Sequence, residues 1–236
     1  MENLQGKTAI VTGASSGIGV AIAGKLATEG VNVVLAARSE EKLQAIASVL
    51  NEKGQGKALA VPTDVANRAD VEKLVQQAIQ SFGNVDVLVN CAGQMLTGAV
   101  RAGEVEEWEQ MIDVNVKGVL YGIHAVLPAM LEKACGHIIN IASVSGFEVT
   151  KTSTVYSATK FAVRAISSGL EKELARTGVR VTNISPGMVD TPLSGGGSTW
   201  SNGRKKLEAA DIANAVVYAL TQPDYVNVNE ITVRPV

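Results

Sequence analysis

Short β-rich runs alternate along this chain with longer stretches of helical hydrophobic period, and that alternation admits few folds. Strands are predicted near Thr8–Thr12, Asn32–Ala37, Ala58–Val61, Val85–Asn90, His137–Ile141, Val179–Ile184 and Ile231–Val233. Helices are predicted near Gly17–Glu29, Glu40–Lys53, Arg68–Phe82, Val105–Leu131, Val155–Arg176 and Ala209–Thr221. Strand–helix–strand units cross over right-handedly, so this order leads to a doubly wound α/β fold: a seven-stranded, mainly parallel sheet with helices on both faces. In such a sheet ligands bind outside the carboxyl ends of the strands, where the strand order reverses.

Composition agrees. The 236 residues are 46% hydrophobic but only 4% aromatic, so the core must be built from Ala, Val, Ile and Leu, as in sheets covered on both faces. A formal net charge of −2 offers no field for polyanions, which argues against nucleic acid as a partner. The two cysteines, Cys91 and Cys135, form no CxxC and no Cys/His cluster, so neither a disulfide framework nor a metal site is expected. The first residues lack a basic region followed by an apolar run, and the apolar runs are strand length. The expectation is a soluble, cytoplasmic chain without membrane partners. It reads as one domain spanning 1–236, with a substrate loop near 187–203, because no repeat or linker divides it. The loop includes Ser194-Gly-Gly-Gly-Ser-Thr-Trp200 and has neither period; long structureless loops in compact domains are usually functional or disordered.

The first strand runs into Thr12-Gly-Ala-Ser-Ser-Gly-Ile-Gly19, followed by helical spacing. Glycines in that context allow a tight turn and close backbone approach to a pyrophosphate, with the amides of the helix N-terminus as donors. Gly13, Ser15, Ser16, Gly17, Ile18 and Gly19 are therefore candidate cofactor residues, against the plainer alternative of a strand-to-helix turn. The second strand ends at Ala37-Arg38-Ser39. A unit specific for NAD carries an acid there for the ribose 2′-hydroxyl; Ala37 replaces it, and Arg38 with Ser39 offers a fork for a 2′-phosphate. The alternative is a solvated turn before Glu40. The pattern selects NADP(H).

Tyr156 and Lys160 lie four apart on a helical pattern, hence on one face. An ammonium beside a phenol lowers the phenol's pKa toward the working pH and makes it a general acid/base, although the pair also occurs by accident on surfaces. Ser143 follows a strand end, where its hydroxyl could hold a substrate carbonyl or cap a turn. Asn115 falls inside the long fourth helix, a poor place for Asn; it serves either as a buried amide or as the anchor of a proton-relay water.

In order and spacing these residues resemble the short-chain dehydrogenases/reductases, single-domain Rossmann-type oxidoreductases, over nearly the whole chain. The resemblance rests on Thr12-Gly-x-x-x-Gly-x-Gly19, Asp64, Asn90-Cys-Ala-Gly93, Asn115, Ser143, Tyr156-x-x-x-Lys160 and Pro186-Gly187. It implies that Tyr156 donates the proton, Lys160 lowers its pKa and holds the nicotinamide ribose, Ser143 polarises the carbonyl and Asn115 positions the relay water. It further implies that Asp64 and Val65 contact the adenine, Asn90, Ala92 and Gly93 the middle of the cofactor, and Pro186, Gly187, Val189 and Thr191 its nicotinamide end. Cys91 stands where the family more often has Asn, a change expected to alter packing only. The ending Val228–Pro235 is similar to that of NADP-dependent 3-hydroxy-acid (serine-type) dehydrogenases and broad carbonyl reductases. Homo-tetramers or homo-dimers are implied.

The expected function is hydride transfer between NADP(H) and a small-molecule carbonyl or alcohol substrate: a ketone, an aldehyde or a 3-oxo/3-hydroxy acid. A ketoacyl-carrier reductase and a non-catalytic dinucleotide-binding regulator are the alternatives. His124, His137 and Trp108 read as structural, and Arg204-Lys-Lys206 as a solvated run. Trp200 reads equally as a lid or a loop tip. Substrate choice is expected to depend on Ser145, Phe147, Glu148 and the 187–203 loop.

Overall fold

The computed structural model describes residues 3–53, 55–195, 203 and 205–236. Its strands are β1 (Thr8–Thr12), β2 (Asn32–Ala37), β3 (Ala58–Pro62), β4 (Val87–Asn90), β5 (Gly136–Ile141), β6 (Val179–Pro186) and β7 (Glu230–Val233). They form one sheet in the order β3-β2-β1-β4-β5-β6-β7. The sheet expected to be mainly parallel is parallel at every pairing. The chain starts in the middle of the sheet, builds outward through β2 and β3, then returns to β4 on the other side of β1. That reversal opens a crevice between the loops after β1 and β4.

The helices are α1 (Gly17–Thr28), α2 (Glu40–Lys53), α3 (Arg68–Phe82), α4 (Val105–Ile112), α5 (Gly118–Glu132), α6 (Thr154–Glu173) and α7 (Ala209–Leu220). Buried strands such as Val33-Val-Leu-Ala36 send alternate side chains to opposite faces. Val33 and Leu35 pack with Ile22, Leu26, Leu43 and Val216 of α1, α2 and α7. Val34 and Ala36 pack with Leu74, Ile123, Val126 and Val163 of α3, α5 and α6. The sheet is covered on both faces by aliphatic side chains, which is why so few aromatics suffice.

The single helix expected over Val105–Leu131 is interrupted. Between α4 and α5 the residues Asp113–Lys117 form a π turn, and the Gly118 amide bonds back to the Asp113 carbonyl. The extra residue turns Asn115 inward, where it is 1% exposed. A buried amide that is poor in regular helix finds three side-chain hydrogen bonds there, described below. The expected 187–203 loop is partly ordered. Thr191 and Ser194 cap each other across a short 3₁₀ turn at Pro192–Ser194, and Val189 bridges to Leu207. Residues 196–202 and 204, with Trp200 and Arg204, lie outside the described residues.

His137 is structural, as expected. It is 2% exposed, its Nε2 lies 2.7 Å from Thr182 Oγ1, and burial, followed by the charges of Arg180 and Lys7, lowers its pKa from 6.5 to about 3. The unfolded chain therefore binds a proton below pH 6.5 that the folded chain refuses, and stability from this group is lost as pH falls through that window. Relative to pH 7, urea unfolding at pH 4.5 should show about 2–3 kcal/mol of loss from His137. His137→Gln should remove that share of the pH dependence. An unchanged slope would show that His137 does not carry it.

Candidate active site

Because every strand is parallel, every loop that follows a strand leaves from the same rim. The Gly13–Gly19 turn follows β1, Arg38 and Ser39 follow β2, Asp64 and Val65 follow β3, and Cys91, Ala92 and Gly93 follow Asn90 at the end of β4. Ser143 follows β5, while Gly187, Val189 and Thr191 follow Pro186 at the end of β6. The predicted residues, scattered over the sequence, thus converge on one edge. A cavity of about 290 Å³ around Arg180, Asp224 and Tyr225 opens at the amino end of β6 instead, away from this rim.

The crevice is stapled by Thr12. Its Oγ1 accepts from the amides of Cys91 and Ala92, each at 3.0 Å. Gly13 has φ 68°, and a Cβ there would lie 2.9 Å from Ala92 Cα, so only glycine lets the two loops approach. At the start of α1 the backbone of Ser16 is extended and its side chain makes no cap; the first turn has no acid. Free amide donors at a helix N-terminus suit an anion. Ser15 and Ile18 flank this turn, half-buried, and Gly19 is buried within it.

Arg38 is exposed, with Ser39 half-buried beside it. Asp64 Oδ1 accepts from the Ala66 amide at 3.0 Å, and Val65 is buried against Gly118, where a Cβ would lie 3.0 Å from its Cγ2. On the far side Thr191 closes on the glycine turn: a Cβ on Gly17 would lie 3.1 Å from its methyl. Gly187 donates to the Val233 carbonyl at 2.7 Å, which ties this loop to β7.

Tyr156 sits in the first turn of α6 and is 6% exposed. Burial pushes its phenol pKa up, and a hydrogen bond with Ser143 pulls it back down. Ser143 Oγ also accepts from the Ser145 amide at 3.1 Å, which leaves its own proton free to donate. The helical spacing predicted an ammonium against the phenol. Instead Lys160 Nζ lies 5.8 Å from the Tyr156 ring centroid and donates to the Ile141 carbonyl at 3.0 Å. Burial lowers its pKa to about 8. The pair shares a face, but Lys160 faces the rim beneath Gly93, where a Cβ would lie 3.6 Å from Nζ. Beside it the Cys91 thiol is pushed up to about 12 by burial, in keeping with a packing role.

The Asn115 side chain is committed. Its Oδ1 accepts from the Gln94 amide at 2.8 Å, and its Nδ2 donates to the Gln94 carbonyl at 2.9 Å and to Thr159 Oγ1 at 3.0 Å. Thr159 in turn donates to the Tyr156 carbonyl at 2.7 Å. The amide locks the loop after β4 to the helix that carries Tyr156.

Sequence reasoning missed Gln94 and Thr159, because their partners lie far along the chain. It also missed a buried chain in which Asn90 Nδ2 donates to Asn140 Oδ1 and Asn140 Nδ2 donates to Ser167 Oγ, both at 2.9 Å. Asn140 had a legible signal: an asparagine inside a strand of isoleucines is unfavourable without a buried partner.

Residues 7–202 match the short chain dehydrogenase family. An uncharacterized oxidoreductase of Staphylococcus saprophyticus is 58% identical over 236 residues, all of both chains. Among solved structures, an alcohol dehydrogenase from the archaeon Thermococcus sibiricus, complexed with 5-hydroxy-NADP, superposes with TM-score 0.91 at 33% identity, covering 98% of this chain and 97% of that one. The closed form of a serine dehydrogenase complexed with NADP+ superposes with TM-score 0.88 at 36% identity, covering 96% and 94%. The chain belongs to the short-chain dehydrogenase family of oxidoreductases.

Proposed function

We propose that this oxidoreductase moves a hydride between NADP(H) and a carbonyl/secondary alcohol pair, in a ketone, an aldehyde or a 3-oxo/3-hydroxy acid. The observation that carries this reading is the buried Tyr156 phenol, whose pKa Ser143 draws down against the rise caused by burial, on the same rim as an uncapped glycine turn. The solved relatives that hold NADP-type cofactors support the choice of cofactor.

The residues fit such a cofactor. The amides at the uncapped start of α1, within the Gly13–Gly19 turn, would take the pyrophosphate, and Arg38 with Ser39 the 2′-phosphate. Asp64 and Val65 would flank the adenine, Asn90, Ala92 and Gly93 the middle of the molecule, and Pro186, Gly187, Val189 and Thr191 the nicotinamide end. When bound, NADP(H) supplies or accepts the hydride.

In reduction, the substrate carbonyl oxygen receives hydrogen bonds from the Ser143 hydroxyl and the Tyr156 phenol, and the Tyr156 proton passes to it as the carbon gains the hydride. Burial keeps the phenol protonated, which suits the acid role. Lys160 holds positive charge against the rim where the phenolate would form. The π turn leaves one main-chain carbonyl without its usual amide partner. Since the Asn115 side chain is engaged elsewhere, that backbone is the place where a relay water would be held.

The half-exposed apolar residues Leu120 and Leu131, eleven residues apart on one face of α5, and Phe161 on α6 support self-association through these helices, as a homo-dimer or homo-tetramer.

Tyr156→Phe should lower ketone reduction by about 10²–10⁴-fold while NADPH binding, followed by fluorescence, stays within about twofold; a variant that kept full turnover would rule out the acid role. Alcohol oxidation needs the phenolate and should rise with pH above neutrality, whereas ketone reduction should not. Arg38→Ala should raise the KM for NADPH by about 10–100-fold and leave that for NADH nearly unchanged. Equal effects on both would remove the 2′-phosphate contact.

A further inference from the structure

Ser143 enters a tight turn after β5 whose bonds are mostly its own. Ser143 Oγ accepts from the Ser145 amide at 3.1 Å, and its carbonyl accepts from the Gly146 amide at 2.9 Å. The Val144 carbonyl accepts from the amides of Phe147 and Glu148 at 2.9 and 3.1 Å. These bonds fix the shape of the turn but not its seat against α6, the helix that carries Tyr156.

Tyr156, Lys160 and Arg164 follow one another at four-residue spacing along one face of α6. Lys160 reaches the Ile141 carbonyl at the end of β5. One helical turn further, Arg164 Nη1 donates to the Gly146 carbonyl at 3.0 Å, and the guanidinium lies 3.4 Å from the Phe147 ring centroid. Gly146 packs between these two residues: a Cβ there would lie 2.8 Å from Arg164 Cδ and 2.9 Å from the Lys160 carbonyl oxygen. The guanidinium is itself braced. Its Nε and Nη2 donate to the two carboxylate oxygens of Glu230 on β7 at 2.9 and 3.1 Å, and Asn183 Nδ2 on β6 donates to the same carboxylate at 3.2 Å. A lone exposed ion pair contributes little, but a bidentate pair inside a network has a fixed geometry. Just past the other end of β7, Arg234 pairs with Glu148 at 2.7 Å, so helix and strand both grip the turn.

We propose that Arg164 is a positioning residue for the reaction: braced by Glu230, its guanidinium fork holds the Ser143–Gly146 turn on α6 and so fixes the Ser143 hydroxyl relative to Tyr156. Arg164 acts through Ser143 and takes no part in proton transfer. A lysine does not replace it, because a single ammonium has no planar fork to serve a carboxylate and a carbonyl in set directions. This assignment rests on the carbonyl-reductase reading above and extends its site by one residue.

A double-mutant cycle with Ser143→Ala tests it, using NADPH and whichever of butanone, propanal and acetoacetate the wild type reduces fastest. Arg164→Met should lower kcat by about 10–100-fold, with the KM for the carbonyl and the affinity for NADPH within about twofold. In the Ser143→Ala background the same change should cost less than about twofold, since the group it aligns is gone. Arg164→Lys, which keeps the charge, should stay at least about fivefold below wild type. Losses that multiply in the double variant would overturn the assignment, as would an unchanged kcat in Arg164→Met. Full recovery in Arg164→Lys would also overturn it, because charge alone would then account for the effect. Should Arg164→Met fail to fold, the cycle is run with Glu230→Gln, which leaves the arginine in place without its ion pair. A loss of about 3–10-fold in kcat that vanishes with Ser143→Ala supports the assignment, and an independent loss refutes it. A wild type that reduced none of the three carbonyls would instead sink the carbonyl-reductase reading, and the assignment with it.

Discussion

Parallel pairing of β1 with β4 is the constraint on which the rest of this molecule depends. Parallel neighbours cannot be joined by a hairpin, so each connection must cross the sheet and each strand must end on the same rim. The sheet grows one way through β2 and β3 and the other way through β5, β6 and β7. At the boundary the loops after β1 and β4 diverge, and the space between them cannot be filled by a connection. Thr12 staples its floor with two hydrogen bonds to backbone amides. Residues drawn from six strand ends then share one edge without any of them being near in sequence.

A second constraint is the cost of burying polar groups, and this protein meets it by making the same bonds serve alignment. The Asn115 amide joins the loop after β4 to α6 through Thr159. The Asn90–Asn140–Ser167 chain joins β4 and β5 to the same helix. Each link is worth little net free energy, but breaking one leaves a buried group unpaired, which costs more than the bond contributed. Tyr156 is thereby held by bonds that converge on α6 from two strands and a π turn. Lys160 follows the same logic: its ammonium is buried and partnered by the Ile141 carbonyl, so it is placed toward the rim and not free to swing to the phenol.

Much of the fold was legible in the residues. Alternating β-rich runs and helical periods placed the strands close to their observed bounds, because burial on both faces selects Val, Ile, Leu and Ala over the whole length of a parallel strand. Where the reading failed, long-range contacts decided. The stretch from Val105 to Leu131 has unbroken helical period, yet Asn115 breaks it, since a π turn brings its amide to Gln94 and Thr159. β6 extends to Pro186 because β7 pairs alongside, setting Pro186 opposite Val233. Neither partner could be identified from local pattern.

The sequence by itself determined the element order, the glycine turn, the missing acid at the end of β2 and the helical spacing of Tyr156 and Lys160, all of which are local patterns set by backbone geometry and side-chain type. The tertiary structure alone decided that those elements meet on one rim and that Lys160 bonds a carbonyl of β5 rather than the phenol. Hydrogen bonds between residues dozens of positions apart depend on how strands stack and helices cross. No period along the chain encodes which distant group will lie within three ångströms.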